Sequence, residues 1–473
     1  MQLSPITIES ASIISQNEPE SDATKLQQSI QTLGNYLKEL RERKDNKVSA
    51  AEHESVIARL TLAIGQASIE EMLTLYDCSD EEISIGQQTY RRKHKASKTY
   101  QSSLGPVTLE RHVYSNRKKE GDGKCVCPLE LQAGIIEGYW TENAASNCAW
   151  LLAHLTPQET EEALLKVGMM NPSRSSLDRL PKALLGKWDE QVVTHSNAMT
   201  SDEQIPDDAV SMAVSLDGVM VCMKSLKDGK TKGTEWREAS CGSISFFDEE
   251  GERLSTTQYG RMPEHKKKTL KLLLQKHAEN SLKKRPDLKL VHIADGAQDN
   301  WTFFDEDMPY GTQITDYFHA CQYLKKAFDA AYAKDKFKAK SKYDEYKVIL
   351  RDDGNGSNKV LRALRYQKNK FKSNDDIKSA VTYFTNNQHR MNYAKAKENN
   401  LPIGSGIVEA TCKSLVSQRL KRSGMSWQIN GGQSILTLRS LVKSHRFDAA
   451  WPSIINRYKS EVIGHGNVVK LFG

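Results

Sequence analysis

The segment Val210-Ser-Met-Ala-Val-Ser-Leu-Asp-Gly-Val-Met-Val-Cys-Met223 decides the fold. Val210, Met212, Val214 and Leu216 alternate with small residues, the period-two pattern of a strand. The run continues through Asp217-Gly218 into Val219–Met223, so an acid interrupts a long apolar strand. Working outward, Glu235–Phe247 and Arg253–Tyr259 read as two further strands, with turns at Asp228-Gly229 and Glu249-Glu250-Gly251. A Lys-rich helix follows at 264–282. Leu288–Ala294 is then a nearly continuous apolar strand ending in Asp295-Gly296. A short helix, a short strand Gln313–Asp316 and a long polar helical region over 319–400 come next. Ile407–Arg422, opened by Gly404-Ser405-Gly406, reads as the last strong helix.

Three acids hold costly places in this pattern: Asp217 within the first strand, Asp295 at a buried strand's tip, and Glu409 in the first turn of the late helix. A carboxylate at such a position is unfavourable unless it is paired, capped or bound to a cation. Three strands, a helix, a fourth strand, a helix, a fifth strand and a late helix is the ribonuclease-H-like layout. There the first strand, the fourth strand and the final helix converge at one end of the sheet. Two aspartates and a glutamate at that end can hold two divalent ions about 3.5–4 Å apart. Hard oxygen ligands select Mg2+ or Mn2+ over zinc or copper. Taken singly, each acid also fits a turn or a helix-dipole partner; taken together, in this order, they read as a metal site.

Between Asp295 and Glu409 the chain is far longer than one strand and one helix require. Residues 321–372 carry 15 Lys and Arg against 6 Asp and Glu. This surplus reads as an all-helical insertion beside the sheet, with a surface able to grip DNA backbone or simply a solvated helical face. The fold class expected is multidomain α+β or α/β: a ribonuclease-H-like core with a helical insertion, preceded by helical and β-hairpin DNA-binding regions.

The remainder of the 473 residues divides by composition. Residues 1–20 are polar, and 1–85 form a helical N-terminal region. Leu26, Ile30, Leu33, Leu37 and Leu40 make a narrow seam that Asp45-Asn46 breaks, and a second helix spans Ala50–Leu75, a packing or dimerising hairpin. Residues 86–128 form a basic β-hairpin around Gly105-Pro106, with Arg91, Arg92 and Lys93 on its first arm. Cys125 and Cys127, even with His94 or His112, supply one thiol pair where a structural zinc normally wants two, so structural zinc is not expected. Residues 129–200 are helical: Thr141–His154, then Pro157–Val167 closed by Gly168, then Ser173–Trp188. The last two form a helix-turn-helix presenting Arg174, Ser175, Ser176 and Arg179 to DNA, or a small bundle linking domains. An acidic linker at 200–209 leads into the core, whose parts are 205–325, the insertion 326–400, and 401–445 with the glutamate helix. Residues 446–473 are a C-terminal tail.

Net charge is +7, from 67 Lys and Arg against 60 Asp and Glu. No apolar run is long enough for a membrane span, and no charged region precedes an apolar one at the N-terminus. Eight scattered cysteines make no disulfide framework, so a reducing cytoplasm is the expected compartment.

Four motifs in order, Ser215-Leu-Asp-Gly-Val219, Ile293-Ala-Asp-Gly-Ala-Gln-Asp-Asn-Trp301, Asp316-Tyr-Phe-His319 and Pro402-Ile-Gly-Ser-Gly-Ile-Val-Glu-Ala-Thr-Cys-Lys413, resemble those of the ISKra-type bacterial insertion-sequence transposases. These belong with the Mutator-like group having an acidic catalytic triad. Gln418-Arg-Leu-Lys-Arg-Ser-Gly-Met-Ser-Trp427 is similar as well, and the resemblance spans roughly residues 86–445. It implies metal-dependent DNA cleavage and strand transfer at element ends, with Asp217, Asp295 and Glu409 as metal ligands. It also maps an Asp-x-x-His pair onto Asp316 and His319, where His319 contacts the scissile phosphate, orients a carboxylate or is structural. Lys413, Arg419 and Arg422 on the glutamate helix are expected near DNA phosphate. The implied partners are double-stranded DNA, as terminal inverted repeats and target, and a second copy of the chain, since two ends must be held. A nuclease of the same fold, or a domesticated non-catalytic DNA-binding protein, are the rival readings.

Overall fold

The computed structural model describes residues 24–42, 49–116, 124–167, 170–227 and 230–465. Expectations at 1–20, Asp45-Asn46, Gly168, Asp228-Gly229 and the last eight residues lie outside them. The chain is mixed α and β, with two five-stranded sheets. It forms two compact units: Met1–Asn147 with Glu161–Pro172 and Arg457–Gly473, and Cys148–Thr160 with Ser173–Asn456. Among the described residues no helix is long and apolar enough to cross a membrane.

In the first unit, α1 (Lys25–Glu42) and α2 (Ala50–Thr74) lie against each other. Ser49 opens α2 with a capping box closed by Glu52. The Lys25–Glu70 pair at 2.7 Å and the Tyr36 hydroxyl with His53 Nδ1 at 2.7 Å join the two helices. The expected seam is only half-buried, and Ile30 remains exposed. Strands β1 (Glu82–Ile85), β2 (Gln88–Ser102), β3 (Gly105–Ser115) and β4 (Cys125–Val126) form an antiparallel sheet. Gly105 takes φ +96° to start β3 from a two-residue turn, a conformation that favours glycine. The short strand Ile463–His465 adds to the edge of β1, so part of the stretch expected as a tail is paired in a sheet. Tyr100, Val107 and Leu129, each fully buried, form the core with Leu73. The unit also holds α3 (Pro128–Gln132), whereas α4 (Glu142–His154) and α5 (Pro157–Val167) carry residues of both units.

The second unit begins with α6 (Arg174–Glu190) and α7 (Val192–Asp202), and then builds the sheet from β5 (Ser211–Lys227), β6 (Lys230–Phe247) and β7 (Arg253–Arg261). After α8 (Lys268–Lys284) come β8 (Lys289–Ala294), α9 (Gln298–Glu306) and β9 (Thr312–Thr315). The strand order is β7-β6-β5-β8-β9. β5, β6 and β7 are antiparallel neighbours, whereas β8 and β9 run parallel to β5. β5 is uniformly buried from Ser211 to Leu216, as befits a central strand covered on both faces. Leu270 and Leu274 of α8 come so near that a Cβ on Gly242 would stand 2.9 Å from Leu274. Ala213, Val291, Ile293 and Ile314 pack instead into a core with the helices that follow.

Those helices are α10 (Tyr317–Ala331), α11 (Lys336–Asp352), α12 (Gly356–Lys370), α13 (Asp375–Asn387) and α14 (Tyr393–Glu398). The Tyr393 hydroxyl donates to the Thr315 carbonyl at 2.8 Å, tying the last of them back to β9. The glutamate helix begins as α15 (Gly406–Thr411), becomes π-helical over Cys412–Ser417, and ends as α16 (Gln418–Leu420). It is not the last helix: α17 (Ile429–Lys443) and α18 (Phe447–Ile455) follow, with Trp451 and Ile454 of α18 buried. Arg439 of α17 is 2% exposed and donates to the carbonyls of Leu415, at 2.9 Å, and of Ser414. It therefore gives donors to carbonyls on the widened turn.

Candidate active site

The parallel pairing of β5 with β8 ends at Ser215 opposite Ile293. Two residues further along each strand lie Asp217 and Asp295, on neighbouring strands about 4.8 Å apart. β8 pairs with β9 to Ala294 opposite Thr315, and the Asp316 N–H donates to the Ala294 carbonyl at 2.8 Å. Asp217 within β5, just past its parallel pairing, and Asp295 and Asp316, directly after β8 and β9, thus follow one another across three adjacent parallel strands. The alternation that makes β5 a strand also delivers its acid to this succession.

Glu409 arrives from the far side of the sequence. Val408, Cys412, Leu415 and Val416 bury a helical stripe against Val221, Ala239 and Cys241 of the β5–β6 pair. Glu409, next to Val408, stays at the rim with its side chain 44% exposed. Cys412 Sγ lies 3.8 Å from Asp217 Oδ2, so the glutamate helix runs beside the first aspartate. His319 Nδ1 is 3.7 Å from Asp316 Oδ2 and 3.8 Å from Glu409 Oε1. One ligand atom from each of Asp316, His319 and Glu409 lies within 4.8 Å of the others.

The electrostatics follow from this crowding. Asp217 is held above the usual carboxylate range, first by burial and then by the charge of Asp295. His319 is pushed up to about 9, first by Asp316 and further by Asp295 and Glu409. Its Nδ1 is buried without a hydrogen bond. Lys267 also lowers Asp217 toward its charged form while pairing with Glu238 at 2.9 Å. Lys267 and its neighbour Lys266 hold φ of +54° and +52°, a left-handed pair costing about 1–3 kcal/mol per residue.

The donor set fits a hard divalent cation. Asp295 Oδ1 takes the Ala297 N–H and the Asn300 amide at 3.1 and 3.0 Å, and among the described residues no donor reaches its second oxygen. Asp217 Oδ1 takes the Gly218 N–H at 2.7 Å, and among the described residues its Oδ2 meets only the Cys412 thiol. Carboxylate oxygens on neighbouring strands, with Glu409 on the adjoining helix, are the hard donors such an ion would take.

The remaining expected residues are dispersed. In the first unit, Arg91 pairs with Glu82 at 2.5 Å and Arg92 donates to the Ser79 carbonyl, whereas Lys93 is exposed at a bulge between Arg92 and His94. There the His112 ring is held by Asp77 at 2.7 Å, and the Cys127 thiol is pushed up to about 11 by burial. In the second unit, Arg174 and Arg179 are exposed on α6. Lys413 is exposed, but the π turn begins at Cys412, so the four-residue spacing expected to align it with Glu409 is not kept. One expectation is corrected. Arg419 is 1% exposed with its guanidinium over the Trp427 ring, so burial closes it to a phosphate. Arg422 pairs with Glu159 at 2.6 Å, with both side chains partly exposed. Trp427 itself extends the sheet, its N–H donating to the Cys222 carbonyl at 3.0 Å.

Lys267 and Ser405 are the site residues the sequence did not reveal. Lys267 sits in a run that reads as a helix face, and its left-handed backbone leaves no mark in the text. Ser405 reads as part of a helix entry, yet its side chain does not cap the helix. The signal that could have found its partner is the Asp316-x-x-His319 spacing, which is that of a helix N-cap.

No protein-family model matches the chain, and no curated protein matches it. Among solved structures, the chain is similar to the Drosophila P element transposase strand transfer complex, at a TM-score of 0.25 and 11% identity, over 68% of this chain and 82% of that one.

Proposed function

We propose that the chain is a DNA transposase of the ISKra type, cutting at the ends of an insertion sequence and joining them to target DNA. The observation that carries this reading is the place of Asp217 and Asp295, each two residues past the last parallel pair of β5 and β8, Ser215 with Ile293, with the Glu409 helix running beside Asp217. The strand order, three antiparallel strands followed by two parallel ones, supports a ribonuclease-H-like core. The four sequence motifs support the transposase assignment within that fold.

In this reading Asp217, Asp295 and Glu409 hold two Mg2+ or Mn2+ ions, which when bound activate the attacking water or 3′-hydroxyl and neutralise the leaving oxygen. His319, beside Asp316 and Glu409, offers an imidazole N–H to a phosphate oxygen at the acidic centre. Lys267 sits where a second cation can reach the same phosphate once it leaves Glu238. Lys93, Arg174, Arg179 and Lys413, exposed and basic, suit the DNA backbone outside the centre. The function requires two ends at once, hence at least a homodimer acting on terminal inverted repeats, in the bacterial cytoplasm.

The test is incubation of the purified chain with duplexes carrying the element ends and their flanks, with Mg2+ or with chelator. Metal-dependent cleavage followed by joined products, both lost in Asp295→Asn with DNA binding retained, is the expected result. Cleavage without joining would assign a nuclease. An Asp295→Asn protein as active in cells as the parent would assign a DNA-binding protein.

A further inference from the structure

The fourth carboxylate of the site, Asp316, is fully buried, and both of its oxygens are used. Oδ1 accepts the His319 N–H at 2.8 Å, the N-cap bond of α10. Oδ2 accepts the Ser405 N–H at 2.6 Å and the Ser405 hydroxyl. The Asp316 N–H goes to Ala294, the residue before Asp295. The next N–H, of Tyr317, goes to the Ile403 carbonyl at 3.0 Å.

Ser405 is the N-cap residue of the glutamate helix, and its carbonyl accepts the Glu409 N–H at 3.0 Å. A serine there ordinarily turns its hydroxyl onto its own helix, but this one gives it to Asp316 instead. One residue therefore joins three elements: its N–H holds the tip of β8, and its carboxylate holds the His319 helix and, across 89 residues of sequence, the start of the Glu409 helix. No other bond among the described residues holds Ser405 to the strand tips. Hydrogen bonds to a charged acceptor are among the stronger ones, about 1.5–3 kcal/mol each.

We infer that Asp316 is a positioning residue: with Ser405 as its counterpart, it sets where Glu409 stands relative to Asp217 and Asp295, without itself touching ion or DNA. The inference rests on the metal-site reading above. A displacement of about 1 Å in such a group is enough to cost about 100-fold. Outer partners that orient metal ligands are worth about 10–100-fold in metal affinity, so losing one of the two Ser405 bonds is expected to weaken ion binding by about tenfold.

The test is Mn2+ binding to the full chain, measured by calorimetry without DNA, as a double-mutant cycle between Ser405→Ala and Glu409→Ala. Ser405→Ala is chosen because the backbone N–H bond to Asp316 remains and the fold is retained. Asp316→Asn is the second variant, and unchanged circular dichroism is required of both. The expected result is about tenfold weaker Mn2+ binding for Ser405→Ala, no further loss when Glu409 is already alanine, and recovery in Ser405→Thr. Equal losses in both backgrounds, or no loss in either Ser405→Ala or Asp316→Asn, overturn the inference while leaving the metal site standing, provided Glu409→Ala weakens binding measurably and Asp295→Asn abolishes it. Should those two bind Mn2+ as the parent does, the metal-site reading and this inference fall together.

Discussion

Gly296→Ala is a small change with a large expected consequence. A Cβ at this position would stand 2.5 Å from Tyr383 Cε2, 2.9 Å from Asn387 Nδ2 and 3.0 Å from Tyr383 Cδ2. Carbon atoms pack at about 3.5 Å or more, so the overlap with the ring is about 1 Å. The ring has little room to yield. Tyr383 is 8% exposed and stacks on Tyr323 with centroids 4.0 Å apart, and the Asn387 amide is bonded to the Tyr383 carbonyl at 3.0 Å. The strand tip must move instead, taking Asp295 with it. A shift of about 1 Å at a metal ligand is expected to slow end cleavage about 100-fold. The strain is expected to cost about 1–3 kcal/mol of stability. The assay is the single-turnover cleavage rate at saturating Mg2+, with the thermal midpoint measured alongside. Adding Tyr383→Ala removes the obstructing ring and should restore part of the rate despite its own cavity. A Gly296→Ala protein cleaving at the parental rate, or a double variant slower than both single ones, would refute the steric argument.

Three further outcomes are expected. His292 is fully buried, stacks on Phe304 at 4.5 Å, has both ring nitrogens unpartnered, and is lowered to about 4 by burial. Its depressed value favours the neutral ring in the folded state. Stability is thus full above pH 6.5 and falls by about 3 kcal/mol as pH drops toward 4. His292→Leu should flatten that part of the pH dependence of thermal unfolding. Arg439→Met leaves the carbonyls of Ser414, Leu415 and Ala153 without their donor. A loss of at least about 3 kcal/mol is expected, read by denaturant unfolding. Arg362, Arg365 and Lys368 are exposed on α12, a helix without an acidic residue. Replacing all three by Gln should reduce the salt slope of DNA binding by about 0.9 for each phosphate no longer neutralised, and an unchanged slope would place the DNA elsewhere.

The strands were legible because their side chains alternate or are continuously apolar. Val210 to Leu216 and Leu288 to Ala294 announce β5 and β8, and with them the positions of Asp217 and Asp295. The hairpin of β2 and β3 was legible from Gly105-Pro106 and the alternation through Tyr114. The end of the chain was not. In α17 the pair Gly431-Gly432 argues against a helix on propensity. Yet a Cβ on Gly432 would stand 2.5 Å from Met262 Cε, so the glycine serves close packing, which only the tertiary structure reveals. Ile463–His465 is too short to be read without its partner β1. The burial of Arg419 was not legible, because the stretch after Glu409 reads with an unbroken α-helical phase. The π turn at Cys412–Ser417 departs from that phase and is held by Arg439, which is distant in sequence. Asp316 was visible as part of a motif. What it binds was not, because Ser405 lies 89 residues away.

The proposed function stands on Asp217, Asp295 and Glu409 sharing divalent cations. Anomalous diffraction from crystals of the chain grown with Mn2+ locates such ions. Manganese peaks are expected in contact with oxygens of all three side chains, and none in crystals of Asp295→Asn. Manganese bound only elsewhere, or peaks at this site that persist in Asp295→Asn, would contradict it.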